Sequence, residues 1–303
     1  MGRGLHRRWL LAIAAAALSA ARVAGAQERG EDHAPRSGAE ARRAAAQPGS
    51  SARASDEEVA GRIANELASL VQIPILQNFE WGLGATDEGF RYLLVARPRI
   101  PIAFGGEWLL VTTGVVRFTF IDDVIARDGS GAGSMVGMGD SEVYSLVAPP
   151  RLVEGLRFGV GPFALFPSGN PRLGLLNVGV GPAGAVTWQG HGVVLDLTVL
   201  HAWSFVDDES DYSLSQIIPA VSYVFDTGTA ITVQSEMVYE WHSDAWTIPL
   251  NAGVSQVLSI GPFFRMSVGI QGKWWPESPP GGPAFGLRLI TTLLFPELSS
   301  PAS

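Results

Sequence analysis

The sequence predicts an all-β protein, an up-and-down antiparallel transmembrane β-barrel of about 12 strands preceded by a short helix. Two observations predict this fold. Short segments of alternating apolar and polar residues run from Leu70 to Phe295, and the links between them are alternately short and long. A sheet that crosses hydrocarbon must pair every backbone N–H and C=O group within itself, and a closed barrel does so.

Residues 1–26 are predicted to be a secretory signal peptide. Arg7 and Arg8 form a basic start, an apolar stretch begins at Leu10, and Ala24-Gly25-Ala26 is an A-x-A cleavage site. The apolar stretch is short and rich in alanine, which disfavours the alternative of an uncleaved membrane anchor. A signal peptide followed by a barrel predicts location in the bacterial outer membrane, with membrane lipid as the main partner.

The composition excludes several classes of protein. The formal net charge is −8, which argues against nucleic-acid binding. The chain has no cysteine, which excludes disulfides, thiolate metal sites and a lipid-modified N-terminal cysteine. Although 47% of the residues are hydrophobic, the chain after the leader has no apolar run near the ~20 residues of a spanning helix. No phosphate-loop motif is present, and no cofactor is predicted.

The segment before the barrel divides into two parts. Residues 27–54 lack aromatic and β-branched side chains and are predicted to be a disordered linker. Ser55 and Glu58 form a capping box that starts a short amphipathic helix over 55–69. This helix is expected either inside the barrel mouth or at the membrane surface. The barrel itself is predicted over 70–296, followed by a tail over 297–303.

The alternating segments give the strands and the links. The predicted strands are 70–81, 90–104, 107–121, 140–149, 155–166, 177–188, 192–205, 212–225, 229–240, 245–257, 262–274 and 284–295. The tight links are predicted at 105–106, 149–151, 189–191, 226–228 and 258–260, and the longer polar links at 122–139, 167–176, 206–211 and 276–283. Short turns on the periplasmic side and long loops outside are typical of outer-membrane barrels.

Alternation alone does not distinguish a membrane barrel from a soluble sandwich. In strand 262–274, Val268 and Ile270 share one face while Gln271 and Lys273 share the other. Aromatic residues near strand ends favour the membrane barrel, because an interfacial girdle lies there. The tryptophans of this predicted girdle are Trp81, Trp108, Trp188, Trp203, Trp241, Trp246, Trp274 and Trp275.

Several short motifs resemble those of one family. They are LASLVQIP at 67–74, similar to ASLISLPFQ; RIPI followed by EWLL within 99–110, similar to PVIPI and DWNLI; GMGDS at 137–141, similar to GLGD; GVGP at both 159–162 and 179–182; and HAWS at 201–204. Together these motifs resemble bacterial outer-membrane barrels that carry the label of transporter without a known substrate, and sometimes the mistaken label neuromedin U. That family is similar to the phenol-degradation MetA-pathway barrels.

The resemblance covers about 65–296 and implies a barrel that admits solutes, but it carries no catalytic or binding residue across. Family members often have Asn before the His of HxWS, whereas this chain has Leu200. Any role of that Asn is therefore not transferable.

Charged residues of the interior face are the main functional candidates. On the predicted parity they are Glu80, Arg97, Arg99, Arg157, Asp196, Glu236, Arg265, Lys273 and Arg288. Such groups either line a pore that selects charge or pair across the lumen as a structural network. A monomeric barrel that passes small solutes is the expected function, and a structural or adhesion barrel without transport is an alternative.

An outer-membrane lipid hydrolase is the other alternative. It requires a Ser nucleophile beside a His on the outer face, and the candidate pairs are His201 with Ser204 and His242 with Ser243. Both pairs have odd spacing, which places the two side chains on opposite faces of a strand. No catalytic residue is therefore assigned.

Two further features favour structural interpretations. Acidic residues cluster near Asp122 and Asp140 and again near Asp207 and Asp211, but without the ligand spacing of a calcium loop, so no metal site is predicted. The inward glycines of the two GVGP motifs are expected to permit curvature of the barrel wall.

Overall fold

The fold is a closed antiparallel barrel of twelve strands, preceded by a short helix. The computed structural model describes residues 54–122, 133–150, 153–168, 170, 173–205, 211–260 and 264–295. Asp56 begins the second of two compact units, which contains the helix and all the strands of these residues. The predicted signal peptide, nearly all of the predicted linker and the C-terminal tail lie outside the described residues.

Fifteen strand segments build the twelve barrel strands. The helix is α1 (Asp56–Ala64), and the segments are β1 (Val71–Leu83), β2 (Gly89–Ala96), β3 (Arg99–Phe104), β4 (Trp108–Asp122), β5 (Met135–Met138), β6 (Ser141–Ala148), β7 (Leu156–Phe166), β8 (Gly179–Gly190), β9 (Val193–Ser204), β10 (Ser213–Val224), β11 (Thr229–Ser235), β12 (Met237–Glu240), β13 (Ala245–Ile260), β14 (Phe264–Glu277) and β15 (Phe285–Phe295). Each strand pairs with its neighbours in the chain, and β15 pairs with β1 to close the barrel.

Three barrel strands are interrupted, so that β2–β3, β5–β6 and β11–β12 each form one strand. Pro98 lies in the first gap and has no N–H to donate to the sheet. A β-bulge interrupts the second, because Phe118 pairs with Met138 whereas Val115 pairs with Glu142, which leaves one extra residue between β5 and β6.

The two ends of the barrel differ. One end, here called the turn end, carries the start of β1, the end of β15 and the short turns 105–107, 191–192 and 225–228. The opposite end, the loop end, carries the end of β4, the start of β5, the end of β7 and the start of β8, between which the longer links of the chain lie. Leu258–Ile260, which the sequence predicts as a turn, instead completes β13, because the β-ladder with β14 continues to Phe264.

The two faces of each strand carry opposite chemistry. On β14, Ser267, Gln271 and Lys273 are buried in the interior, whereas Ile270 and Trp274 are exposed outside. One predicted girdle residue is misplaced: Trp275 is buried and its ring lies 4.7 Å from the Lys273 ammonium. The exterior of other strands also carries large exposed apolar side chains, among them Ile102, Val160, Val199, Ile231 and Val254.

The interior itself has an apolar side. Inward residues of β4 and β6 to β10 form one buried cluster, which includes Leu146, Phe163 and Leu200. The charged interior residues lie mainly on the remaining strands. The lumen is therefore lined by hydrocarbon on one side and by polar groups on the other.

Helix α1 begins directly after the predicted N-cap Ser55 but ends at Ala64, earlier than the predicted 55–69. From Asn65 to Leu70 the chain is not helical and leads to β1. Leu67 packs into the apolar cluster of the interior, so this segment lies inside the barrel. No helix in the described part of the chain is long and apolar enough to cross a membrane.

The barrel lumen as a candidate functional site

The non-helical segment Asn65–Leu67, here called the plug segment, is held in the lumen by charged hydrogen bonds. The Glu66 carboxylate is buried and pairs with the Arg99 guanidinium. It also accepts hydrogen bonds from the Tyr144 hydroxyl at 2.7 Å and from the Thr113 hydroxyl at 3.3 Å. These donors come from three different strands, so Glu66 ties the segment to one side of the barrel.

Backbone groups of the plug segment are bound as well. The N–H of Glu66 donates to Asp196 Oδ2 at 3.0 Å, and Arg99 Nη1 donates to the carbonyl of Asn65 at 3.2 Å. Arg157 Nη1 donates to the carbonyl of Leu67 at 3.3 Å. A non-helical segment inside a barrel needs such partners, because an unpaired buried backbone group is costly.

A second ion-pair group crosses the middle of the lumen. Arg288 donates to both carboxylate oxygens of Glu236, at 3.2 and 2.8 Å, and Arg97 lies 3.8 Å from the same carboxylate. Arg97, Glu236 and Arg288 are here called the lumen bridge. They come from the β2–β3 gap, the β11–β12 gap and β15, so the bridge joins distant parts of the wall.

Towards the loop end a third group surrounds Glu80, which is 1% exposed. Lys273 Nζ and Arg91 both pair with its carboxylate, at 2.6 and 2.5 Å. Asn78 Oδ1 accepts from Lys273 Nζ at 3.1 Å and from Arg288 Nε at 2.6 Å, which links this group to the lumen bridge.

The structure shows where each candidate of the interior set lies. Arg99, Arg157 and Asp196 contact the plug segment, Arg97, Glu236 and Arg288 form the lumen bridge, and Glu80 and Lys273 lie nearer the loop end. Arg265 lies 3.4 Å from the Asp56 carboxylate of α1. The charges thus lie in acid–base groups rather than in a ring of one sign.

Sequence reasoning missed several members of this network. Glu66 was predicted only as part of a helix, and its partner Tyr144 was not predicted as a site residue. Arg117 and Glu142 form a further pair at 2.8 Å, and Gln216 donates to the same Glu142 carboxylate at 2.8 Å. Strand parity places these residues inside, but no sequence pattern shows which of them meet across the lumen.

Two cavities lie on either side of the lumen bridge. The turn-end chamber, of about 160 Å³, is bounded by the bridge and by Ile63 and Ala64 of α1. The loop-end chamber, of about 440 Å³, is bounded by the bridge and by Asp140 and Leu175. The bridge lines both, so it separates two spaces that would otherwise form one lumen.

Asp140 fixes the link between β7 and β8 over the loop-end chamber. Its carboxylate accepts the backbone N–H of Ser168 at 2.9 Å and that of Leu175 at 3.0 Å. Leu175 thereby packs against the apolar interior cluster. Burial, together with the nearby Asp140 carboxylate, raises the pKa of Tyr212 to about 12, and its hydroxyl donates to the carbonyl of Asn177.

The acidic residues of the two clusters, as far as they belong to the described residues, form no metal centre. Within the described ranges no group of three or more His, Asp or Glu side chains could hold a metal ion. Asp140 binds backbone instead, and Asp211 pairs with the Ser204 hydroxyl. Asp207 lies outside the described residues.

The glycines of the GVGP motifs lie where strands approach closely. A Cβ on Gly161 would lie 1.7 Å from the Ser145 carbonyl oxygen, and one on Gly181 would lie 2.1 Å from that of His201. The prolines of the two motifs, Pro162 and Pro182, face each other across β7 and β8. Glycine is therefore required at 161 and 181 by the packing of the wall.

The two candidate serine–histidine pairs show no hydrogen bond between their side chains among the described residues, and His242 Nδ1 lies 3.3 Å from the Asp211 carbonyl oxygen instead. Ser204 points inward and pairs with Asp211, whereas His201 points outward from the same strand. His201 Nδ1 instead lies 2.7 Å from the hydroxyl of Ser215, its cross-strand neighbour on β10. The indole N–H of Trp241 donates to that hydroxyl at 3.0 Å.

Comparison with known proteins extends the fold assignment. No protein-family model matches the chain, and no curated protein matches it. The chain is similar to the crystal structure of the COG4313 outer membrane channel from Pseudomonas putida F1, with a TM-score of 0.58 and 15% identity over 77% of this chain and 98% of that one. The β domain of the Bordetella autotransporter BrkA matches with a TM-score of 0.39 and 8% identity over 75% and 99%.

The first of these neighbours shares the barrel fold of this chain. At its level of identity it indicates the fold alone. The function must therefore be argued from the lumen itself.

We expect Glu66→Gln to release the plug segment. The substitution removes the charge that compensates the buried Arg99, and breaking such a pair costs about 3 kcal/mol or more, which corresponds to about a hundredfold rise in the open population. The chain lacks cysteine, so Ala68→Cys provides a single reporter whose labelling by a thiol reagent measures the opening. Ala68 is buried, so labelling of the parent chain should be slow.

Glu58→Gln is the matched control for this labelling experiment. Glu58 pairs with Arg62 on the exposed side of α1, at 2.6 Å. Because an exposed ion pair contributes little to stability, the Glu58→Gln substitution should leave the labelling rate of the Ala68→Cys reporter unchanged. Equal rates in the Glu66 and Glu58 variants would contradict the role of Glu66.

Proposed function

We propose that the protein is a bacterial outer-membrane barrel that gives small solutes a passive route across the membrane, with the plug segment closing the lumen in this conformation. The observation that carries the proposal is the pair of chambers inside a wall with an apolar exterior. A polar, partly open interior within an apolar exterior is what a channel in lipid needs.

The exterior supports location in a membrane. Ile270 and Val254, in the central parts of β14 and β13, are 45% and 43% exposed. Contact of a broad apolar surface of this kind with water is unfavourable, whereas contact with lipid is not. Trp108, Trp241 and Trp274 lie exposed near strand ends, where indole groups favour the lipid–water interface. The closed sheet leaves no strand edge to be satisfied by water.

The barrel size supports a narrow route. Twelve strands lie between small barrels that side chains fill and large ones with open channels. Here the lumen bridge and the plug segment occupy part of the lumen, and the chambers occupy the rest. Passage of a solute would therefore require displacement of the plug segment and rearrangement at the bridge.

A charge on the exterior tests the membrane assignment. Ile270→Arg should lower the free energy of unfolding in lipid by ~2–4 kcal/mol, whereas Phe264→Arg at the strand end should cost about 1 kcal/mol or less. Reversible urea unfolding in lipid vesicles measures both. A soluble barrel would tolerate both changes about equally, which would remove the basis for the proposal.

Deleting the plug tests the closed state. Removal of residues 27–68, with the leader retained, should raise the single-channel conductance in planar bilayers several-fold. Removal of 27–53 alone leaves α1 and Glu66 in place and should leave the conductance as in the parent chain. If the longer deletion conducts no better than the shorter, the segment does not limit passage.

The lumen bridge should set the charge preference. Glu236→Gln leaves Arg97 and Arg288 without their shared anion, so the reversal potential in a salt gradient should shift towards anion selectivity. Glu107→Gln, on an exposed turn, serves as the control with the same change of net charge. Similar shifts in both variants would mean that the bridge does not line the route.

Lipid hydrolysis is a second candidate function, which the contact of His201 with Ser215 favours. The Trp241 N–H can only donate, so the Ser215 hydroxyl proton is free to point to His201 Nδ1, as a nucleophile and its base require. In this proposal Ser215 Oγ bonds to an acyl carbon, His201 takes the proton and passes it to the leaving alcohol, and water then frees the acid.

Release of labelled fatty acid from phospholipid tests this candidate. The parent protein should release it, Ser215→Ala should not, and Ser213→Ala should release it at the parent rate, because Ser213 shares the exterior face of β10 but not the contact with His201. Absence of release from the parent protein, or release that survives in Ser215→Ala, would remove hydrolysis from consideration.

A further inference from the structure

The turn-end chamber contains buried polar groups that lack partners. Gln72, on β1, is 1% exposed, and neither its amide nitrogen nor its amide oxygen has a hydrogen-bond partner among the described residues. Oε1 of Gln271 and Nε of both Arg97 and Arg99 also lack a partner among the described residues, and the Gln271 and Arg99 side chains are buried. The four side chains that carry these five unpaired polar atoms line one cavity of about 160 Å³.

Unpaired buried donors and acceptors are rare in folded proteins, and they indicate water or a ligand. This set has three donor groups, the Gln72 NH₂ and the Nε–H groups of Arg97 and Arg99, and two acceptors, the carbonyl oxygens of Gln72 and Gln271. A group that both donates and accepts satisfies such a set best. Hydroxyl groups have this property, whereas carboxylates accept only and ammonium groups donate only.

The formal charges around the chamber cancel. Three cationic and three anionic side chains line it: Arg97, Arg99, Arg288, Glu66, Asp196 and Glu236. The arginines pair with Glu66 or Glu236, so an anionic solute would have to break a buried pair to gain a cationic partner of its own. The chamber therefore favours an uncharged solute over an anionic one.

We propose that the turn-end chamber is a binding site for a small neutral polyol, with Gln72 as its main specificity-determining residue. An apolar cavity of about 150 Å³ holds one molecule with about six heavy atoms, and the chamber has a similar volume. The site rests on the proposed function, since it would be the station for a solute inside the route, between the lumen bridge and α1.

Glycerol is the probe, and glycerate, its charged counterpart, is the comparison. Saturation-transfer NMR on the full chain in detergent micelles should show binding of glycerol but not of glycerate. Gln72→Leu keeps the side-chain volume but removes one donor and one acceptor, which should weaken glycerol binding by about tenfold. Gln271→Met should weaken it by a smaller factor, since it removes only one unpaired acceptor.

Thr187→Val is the matched control. Thr187 is also inward, 1% exposed and without a hydroxyl partner among the described residues, but it does not line the chamber. It should bind glycerol as the parent chain does. Gel mobility before and after heating shows whether each variant is folded, and the two glutamine variants together keep the test valid if one of them does not fold.

Three outcomes would overturn the proposal. The first is the absence of a glycerol signal from the parent protein, which would mean that the chamber holds water only. The second is binding of glycerate as strong as that of glycerol. The third is equal weakening of glycerol binding by the Thr187 and Gln72 variants. Conductance measured on the same preparation separates this site from the proposed function. Channels without glycerol binding would overturn the site alone, and glycerol binding without channels would overturn the route.

Discussion

Pairing of the last strand with the first is the constraint on which the rest of the structure depends. β15 pairs with β1 in unbroken register, from Phe295 with Val71 to Phe285 with Trp81. Once this ladder forms, every strand has two neighbours and the sheet has no edge. Each strand side chain then lies on one of two faces, the confined interior or the exterior surface that surrounds the whole barrel. The alternation of polar and apolar residues in the sequence follows from these two different environments.

Closure also decides which charges meet. Arg288 on β15 reaches Glu236, which lies 52 residues earlier in the chain, and Asn78, which lies on β1. A buried charge without a partner costs several kcal/mol, so these contacts constrain the positions of the strands that carry them. The plug segment depends on the same cost of an unpaired buried charge. Glu66 is stable in the interior because the β3–β4 and β4–β6 ladders place Arg99 and Tyr144 where one carboxylate can bind both.

This dependence explains how much the sequence could predict. The period of two identified the twelve strands, the faces of β14 and the interior position of Lys273, because each follows from local alternation. The contact of Glu66 with Arg99 could not be predicted, since it depends on a cross-barrel distance that no local pattern records. The pairing of His201 with Ser215 was missed for a similar reason, because it requires the β9–β10 register. The predicted end of β13 was too early. The segment 258–260 continues the alternation of the strand, but its position also fits a short link between two strands, and local sequence does not distinguish the two.

The lumen bridge stands beside two interruptions of the wall. Arg97 precedes Pro98 in the gap between β2 and β3, and Glu236 fills the gap between β11 and β12, beside a strand that carries Pro249. Proline gives no N–H to a ladder, so both gaps lack backbone hydrogen bonds that a regular strand would make. The ion pairs of the bridge join these two places to β15 across the lumen. The same three side chains therefore divide the lumen into two chambers and brace the wall where its ladder is interrupted, so a rearrangement that lets a solute pass must also be one that the wall tolerates.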